Sequence, residues 1–448
     1  MSEKQKKTTE KVAKEESVAA TVDVSKGRAK IKPIVRQKNS KAVFLEEIRL
    51  DENGGIRENP YYLKIASNYA LIKYLALVLG LIFTITMLTA FSTDITAENF
   101  QYLLKDLDIS GVSSGGVFDS LVYNGASDSS FGLYRGEMVV VSSGTVQLYK
   151  PSGALSLNQA NNYYAPSLLV SDKYFIVYDR GETSCSYSVF NSFAQLFSEQ
   201  LAYPITSAAI SNEGSYALLT RSDISRGVVR VYDRDFALRC VIEKDKYVVS
   251  ADFTDDGRYL TLASVYDKDG DYVTELVTVD LAPKEPTVVK EATVAGRMPL
   301  RVEYLDNGHL ALTCTTDIAV YNEDLLLLES LPYLSRNDLR VNTDKSHLVT
   351  VYNNTVLGYD KTVNIYDVNG QQLYTGTHTG ELIAIRQNKN YVALLFFDRL
   401  VRIDAASGQV LEAPVEPNAV SCLFVQDRLV VCYSGHAVEM EFTEENRP

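Results

Sequence analysis

With 448 residues, 46% of them apolar, the chain has room for one large repeat domain or two to three ordinary ones, which excludes disorder throughout. The formal net charge of −13 conceals two environments, because residues 1–73 hold 16 Lys/Arg against 10 Asp/Glu and the remainder holds 28 against 47. The acidic remainder argues against nucleic acid as a partner, and five cysteines that stand singly exclude the close pairs of zinc sites and redox motifs.

Residues 1–68 read as a basic cytoplasmic tail. Its first forty residues are rich in Lys, Glu, Ser and Thr with few large apolar groups, so the tail is expected to be largely disordered. Asn53-Gly54-Gly55 is a turn signal ahead of the segment ENPYYLKIAS. From Tyr74 to Phe91 the chain then runs YLALVLGLIFTITMLTAF without a charge, and residues 69–73 extend it by a turn. About 23 residues at 1.5 Å rise cover ~34 Å, enough for the ~30 Å hydrocarbon core, so residues 69–91 are expected to form a transmembrane helix.

Lys73, Tyr74 and Phe91 mark the ends of this anchor, the lysine snorkelling to the interface beside an aromatic belt. A cleaved signal peptide is the weaker alternative, since a long tail precedes the apolar run and Leu88-Thr89-Ala90 is a poor cleavage site. A buried soluble helix is weaker too, because it rarely stays free of polar groups for so long. Residues 92–111 carry one lysine and four acids, so the positive flank places the N-terminus in the cytoplasm and the C-terminal domain outside a single-pass cell membrane. Residues 92–116 are expected to form a stalk helix, with Phe100, Leu103, Leu104 and Leu107 on one face, followed by the linker SGVSSGG.

Past residue 116 helical periodicity gives way to short β-rich runs separated by turn clusters, in sets of four. The clearest unit is an apolar strand, a polar turn and a second, more apolar strand: SAAISNEGSYALLT from Ser207, SADFTDDGRYLTLA from Ser250, RVEYLDNGHLALTC from Arg301. A third strand and a tight turn follow, as in VRVYDRDF from Val229, IAVYNEDL from Ile318 and VNIYDVNG from Val363. First strands are expected near Phe131, Pro166, Ser207, Val249, Leu300, Leu339, Leu382 and Ala419. A period near forty residues with four strands per unit predicts an all-β, eight-bladed β-propeller over residues 117–448, with seven blades as the alternative. A propeller must close its ring, so residues 117–123 (VFDSLVY) are expected to complete the last blade as its outer strand.

In the final hairpin, a three-residue turn at Gln426-Asp427-Arg428 would set Cys422 directly opposite Cys432 on one face. Two adjacent buried thiols are the preferred reading of that pair, and a disulfide the lesser one. Tyr232-Asp233, Tyr321-Asn322 and Tyr366-Asp367 stand where WD repeats carry their Trp-Asp pair, so this region resembles WD-repeat and quinoprotein-like propellers. The absence of tryptophan removes the docking residues of quinoprotein dehydrogenases and argues against a quinone. The whole layout looks like the membrane-anchored propellers of unassigned role in Gram-positive envelopes.

No catalytic motif accompanies the four scattered histidines, and no nucleophile elbow is present. Asp267, Asp269 and Asp271 surround a glycine and form a weak calcium candidate, with a solvated turn as the better reading. No cofactor is expected. These features predict a non-enzymatic, membrane-tethered binding or scaffolding module that meets an envelope protein or glycan. The alternative is a carbohydrate-active enzyme with channel-facing carboxylates.

Overall fold

The computed structural model describes residues 28–29, 48–49, 60–90, 121–126, 129–182, 184–356 and 358–442. The chain divides into two compact units, Met1–Ser110 and Gly111–Pro448. In the first unit a two-residue ladder pairs Arg28–Ala29 with Ile48–Arg49, and one helix, α1, runs over Pro60–Ala90. The helix thus starts nine residues before the expected boundary at residue 69, and residues 60–68 are helical rather than part of a disordered tail. Proline fits the first helical position, where its missing N–H has no partner to lose. Lys73 and Tyr74 are exposed on α1, whereas Phe91, the stalk segment and the linker lie outside the described residues. Among the described residues no helix is long and apolar enough to cross a membrane; within α1 the unbroken run of described side chains is residues 71–86.

The second unit is eight antiparallel sheets of four strands, seven of them simple meanders and the eighth completed by a strand from the start of the unit. Their first strands are Ser130–Tyr134, Pro166–Val170, Ser207–Ile210, Tyr247–Phe253, Pro299–Tyr304, Arg340–Thr343, Leu382–Gln387 and Ser421–Val425, here the inner strands of blades 1 to 8. All lie within two residues of their expected starts. The second strands, such as Phe175–Asp179, Tyr216–Thr220 and Leu310–Cys314, are buried at every residue. Strands apolar on both faces need cover on both, and only a neighbouring blade on each side supplies it. Outer strands such as Thr287–Ala295 are mostly exposed and alternate.

Eight apolar clusters result, one at each junction between blades. Ala217, Leu219 and Val229 of blade 3 meet Leu260, Leu262 and Val277 of blade 4, and Val349 and Val363 of blade 6 meet Val392 and Leu394 of blade 7. At the closing junction Cys432 and Ala437 of blade 8 pack with Phe131, Met138 and Val140 of blade 1. Leu121 belongs to the same cluster. As expected, the segment before blade 1 is the fourth strand of blade 8: Leu121 faces Ala437 and Val122 faces His436. Tyr123 locks it, its N–H donating to Gly435 O at 3.0 Å and its hydroxyl to the carbonyls of Tyr433 and His436.

The Tyr-Asp positions have a local task. Asp233 Oδ1 accepts the N–H groups of Asp235 and Ala237, Asn322 Oδ1 those of Asp324 and Leu326, and Asp367 Oδ1 those of Asn369 and Gln371. Each side chain therefore caps the turn from third to outer strand. Three residues after each cap the chain turns left-handed, at Phe236 (φ 66°), Leu325 (φ 58°) and Gly370 (φ 85°). Packing holds the two non-glycine cases, since Leu325 is buried and Phe236 stacks on Phe197 at 5.6 Å.

The cysteine arrangement differs from expectation. The last hairpin turns on two residues, with Val425 opposite Arg428, so Cys422 faces Val431 and Cys432 faces Ser421. A shift of one residue in register moves a side chain to the other face of a sheet. Cys422 accordingly packs toward blade 7 and Cys432 toward blade 1, and all five cysteines are free thiols. Burial pushes the Cys422 thiol up to about 12.

Leu121→Ala is expected to lower the stability of the propeller by about 2–4 kcal/mol in denaturant unfolding, because it hollows the closing junction. Asp233→Ala is expected to cost about 0.5–1.5 kcal/mol in the same measurement, because it removes two bonds that hold an exposed turn.

Candidate binding site at the channel mouth

In a meander of four strands, the connections from second to third strand and from outer strand to the next blade all emerge on one face of the ring. The inner strands begin on that face. An open cavity of about 600 Å³ opens there, lined by the inner strands of blades 1, 2, 6, 7 and 8. A groove of about 420 Å³ between blades 5 and 6 adjoins it and shares Leu339 and Val341 with it.

Two arginines belong to each lining: Arg340 and Arg386 to the cavity, Arg301 and Arg336 to the groove. Neither lining contains a carboxylate. Arg386 donates to Ser421 Oγ and to Ile385 O, each at 3.1 Å. Arg340 Nε lies 3.5 Å from Asp338, whose other oxygen is 2.5 Å from Nζ of the buried Lys361. That lysine holds the Asp338 carboxyl below the usual range. Arg336 is exposed and has no partner among the described residues.

Inner-strand bulges shape the mouth. The register slips between Val248 and Ser250, between Pro299 and Arg301, and between Leu382 and Ala384, all near the mouth end. An extra residue in one strand re-aims the side chains around it, and Leu300, the extra residue of blade 5, stands 51% exposed. The exposed large apolar side chains of the connections gather on the same face: Tyr164, Ile224, Met298, Leu334, Val356, Tyr359 and Phe397. Among the described residues the corresponding ones on the opposite face are Phe193 and Leu326. Isolated exposed apolar residues are ordinary, whereas their concentration on one rim marks an interaction surface.

Farther along the inner strands, at the level of Arg386, blades 4 and 5 carry acids. Ser250 Oγ and Asp252 Oδ2 of blade 4 accept the N–H groups of Val302 and Tyr304, at 3.2 and 2.7 Å, and so cap the free edge of the blade 5 inner strand. Glu303 accepts from Arg301 at 2.8 Å and from Thr343 Oγ1 at 2.7 Å. Burial raises the Asp252 carboxyl to about 6, against the pull of its bond to Tyr304. Burial likewise raises Glu303 to about 7, against the attraction of Arg301 and with a further push from Asp252. The sequence held a signal for this pair, since both acids stand where the blade 3 unit carries Ala209. The arginines had none, because Arg301, Arg340 and Arg386 on three different strands and Arg336 in a loop are ordinary one at a time.

The acidic loop of blade 4 is a two-residue hairpin turn with Asp269 and Gly270 both at positive φ, 58° and 88°. Lys268 pairs with Asp271 and Asp267 with Tyr272, so strand alternation sends Asp267 and Asp271 to opposite faces of the hairpin. They do not converge on a cation. Glu275, farther down the same hairpin, is engaged by Lys244 and Lys246 at 3.3 and 2.5 Å. Among the described residues no group of three or more His, Cys, Asp or Glu is placed to hold a metal ion.

These features define a β-propeller with a cationic mouth and exposed apolar side chains on the same face. The chain belongs to a family of unknown function (DUF5711), which it matches over residues 117–442. No curated protein matches it in sequence. In fold it is similar to Sqt1 from Saccharomyces cerevisiae, with a TM-score of 0.54 and 10% identity over 72% of this chain and 99% of that one. It is also similar to BamB from Moraxella catarrhalis, with a TM-score of 0.50 and 13% identity over 73% of this chain and 99% of that one. Likeness at this level of identity carries the architecture alone.

The raised carboxyls give a pH dependence. An acid that holds its proton more tightly when folded stabilises below its unfolded pKa, and that contribution is lost as pH rises toward the folded value. For Glu303 the window runs from its ordinary value near 4.5 to about 7. Glu303→Gln removes the titration, so its melting temperature relative to the parent chain is expected to rise between pH 4.5 and 8. The corresponding free-energy gain is on the order of 2–3 kcal/mol, checked by thermal unfolding of both proteins across that range.

Proposed function

We propose that this chain is a non-enzymatic, membrane-tethered binding or scaffolding module of the cell envelope, its propeller held outside the membrane by α1. The observation that carries the binding role is the concentration of exposed apolar side chains on the face that carries the arginine-lined mouth. Such a surface suits a partner protein better than solvent. A tethered propeller needs no chemistry of its own to recruit or orient a second protein.

Three features support the tether. The described apolar side chains of α1 from Leu71 to Ile85 are exposed all round, so the helix has no single core-facing stripe. Thr84 and Thr86 return their hydroxyl protons to the carbonyls of Gly80 and Ile82, both at 2.8 Å, which satisfies a hydroxyl without water. The basic flank before the apolar run and the acidic one after it favour a cytoplasmic N-terminus.

A second reading, a carbohydrate-active enzyme, draws on Asp252 and Glu303, two carboxyls on neighbouring inner strands with raised pKa values. Glycoside hydrolysis uses such a pair, one acid kept protonated near neutrality. Both carboxyls already hold structural bonds, which favours the binding reading.

In intact cells, external protease is expected to remove a C-terminal epitope and spare an N-terminal one, and crosslinking is expected to trap a specific envelope protein on the propeller. Protection of the C-terminus until the cells are opened would overturn the orientation. Turnover of a glycan library that disappears in Glu303→Gln, with no trapped protein, would favour the enzyme.

A further inference from the structure

We propose that the groove between blades 5 and 6, with the arginine-lined mouth it opens into, receives an extended acidic segment of a partner protein whose carboxylates alternate with apolar side chains. This deepens the binding-module reading and rests on it. The groove offers two kinds of contact side by side. Leu300, Leu339, Val341 and the Tyr333 ring supply apolar surface, with Leu300 pushed outward by the bulge between Pro299 and Arg301. Arg301 and Arg336 stand among them, and Arg340 and Arg386 continue the charge into the mouth.

Charge complementarity selects the occupant. Past residue 73 the chain carries 47 acids against 28 bases, yet no carboxylate lines either pocket. Arg336 and Arg386 have no acidic partner among the described residues, and Asp338 beside Arg340 is already held by Lys361. Glu303 beside Arg301 is partly protonated at neutral pH, because burial lifts it to about 7. The guanidinium is planar and pairs with a carboxylate through two parallel bonds, which suits peptide acids. A phosphate polymer would meet the arginines but leave Leu300, Leu339 and Val341 wet, and a neutral glycan would leave the arginines without a counter-charge. An extended peptide presents alternate side chains to opposite sides and satisfies both.

The test uses the full chain and a fluorescent peptide of about twelve residues that alternates glutamate with leucine. Saturable binding is expected, weakened roughly tenfold or more in Arg336→Glu and about fivefold in Leu300→Ser, and reduced by salt. Arg336 has no structural partner, so Arg336→Glu is expected to keep the parent melting temperature. Unchanged affinity in both variants overturns the proposal. So does equal binding of polyglutamate or polyphosphate, which lack apolar side chains. Self-association of the free chain that Leu300→Ser abolishes would make a second copy the occupant and also overturns it.

In intact cells a photoreactive amino acid in place of Leu300 is compared with one in place of Phe193 on the opposite face. A protein trapped at position 300 whose acidic segment competes with the peptide supports the proposal. A protein trapped only at position 193 leaves the binding module standing and ends this inference. No protein at either position, together with no peptide binding, ends both.

Discussion

The propeller depends on the burial of strands that are apolar on both faces. A sheet such as blade 3, whose second strand is buried at every residue, has no stable existence with one face in water; at about 1.5–3 kcal/mol for each large apolar side chain, exposing one such face would remove most of a domain's net stability. Each blade must therefore have two neighbours, and a row of blades meets that demand only when it closes. The eight junction clusters are the outcome. The pairing of Leu121 with Ala437 is what makes the last junction the equal of the rest.

Closure also explains where chemistry gathers. Second and third strands are committed to the junctions, and the outer strands carry the solvent surface. The inner strands keep one edge free toward the channel, and their side chains are released from the repeat. Ser250 and Asp252 use that freedom to cap the neighbouring edge. Bulges at the start of three inner strands change which side chains reach the mouth. Arginines and acids share the inner strands, with Arg386 at the level of Asp252 and Glu303 and with Arg301 and Arg340 nearer the strand starts.

Similarity to Sqt1 and BamB at 10% and 13% identity fits this picture. The period-two pattern, the turn chemistry and the demand for closure leave most individual residues free, so distant sequences converge on one architecture. What distinguishes one propeller from another is the rim, where packing imposes least.

The all-β class, the blade count, the inner-strand starts and the closing strand were legible in the sequence, because each follows from alternation and turn residues that act over a few positions. So was the helical nature of the apolar run, although Pro60 opens the helix earlier than the hydrophobic boundary suggested. The facing of Cys422 and Cys432 was not, since it hung on whether the last turn has two residues or three. The acids of the blade 4 loop were a weak cation candidate beside the better reading of a solvated turn, and strand alternation sends Asp267 and Asp271 to opposite faces of the hairpin. Local pattern determines which strands form, because burial on a strand repeats every two residues. Only the closed ring decided that Arg301, Arg336, Arg340 and Arg386 share one mouth, because that proximity comes from the rotation between blades, which no local pattern encodes.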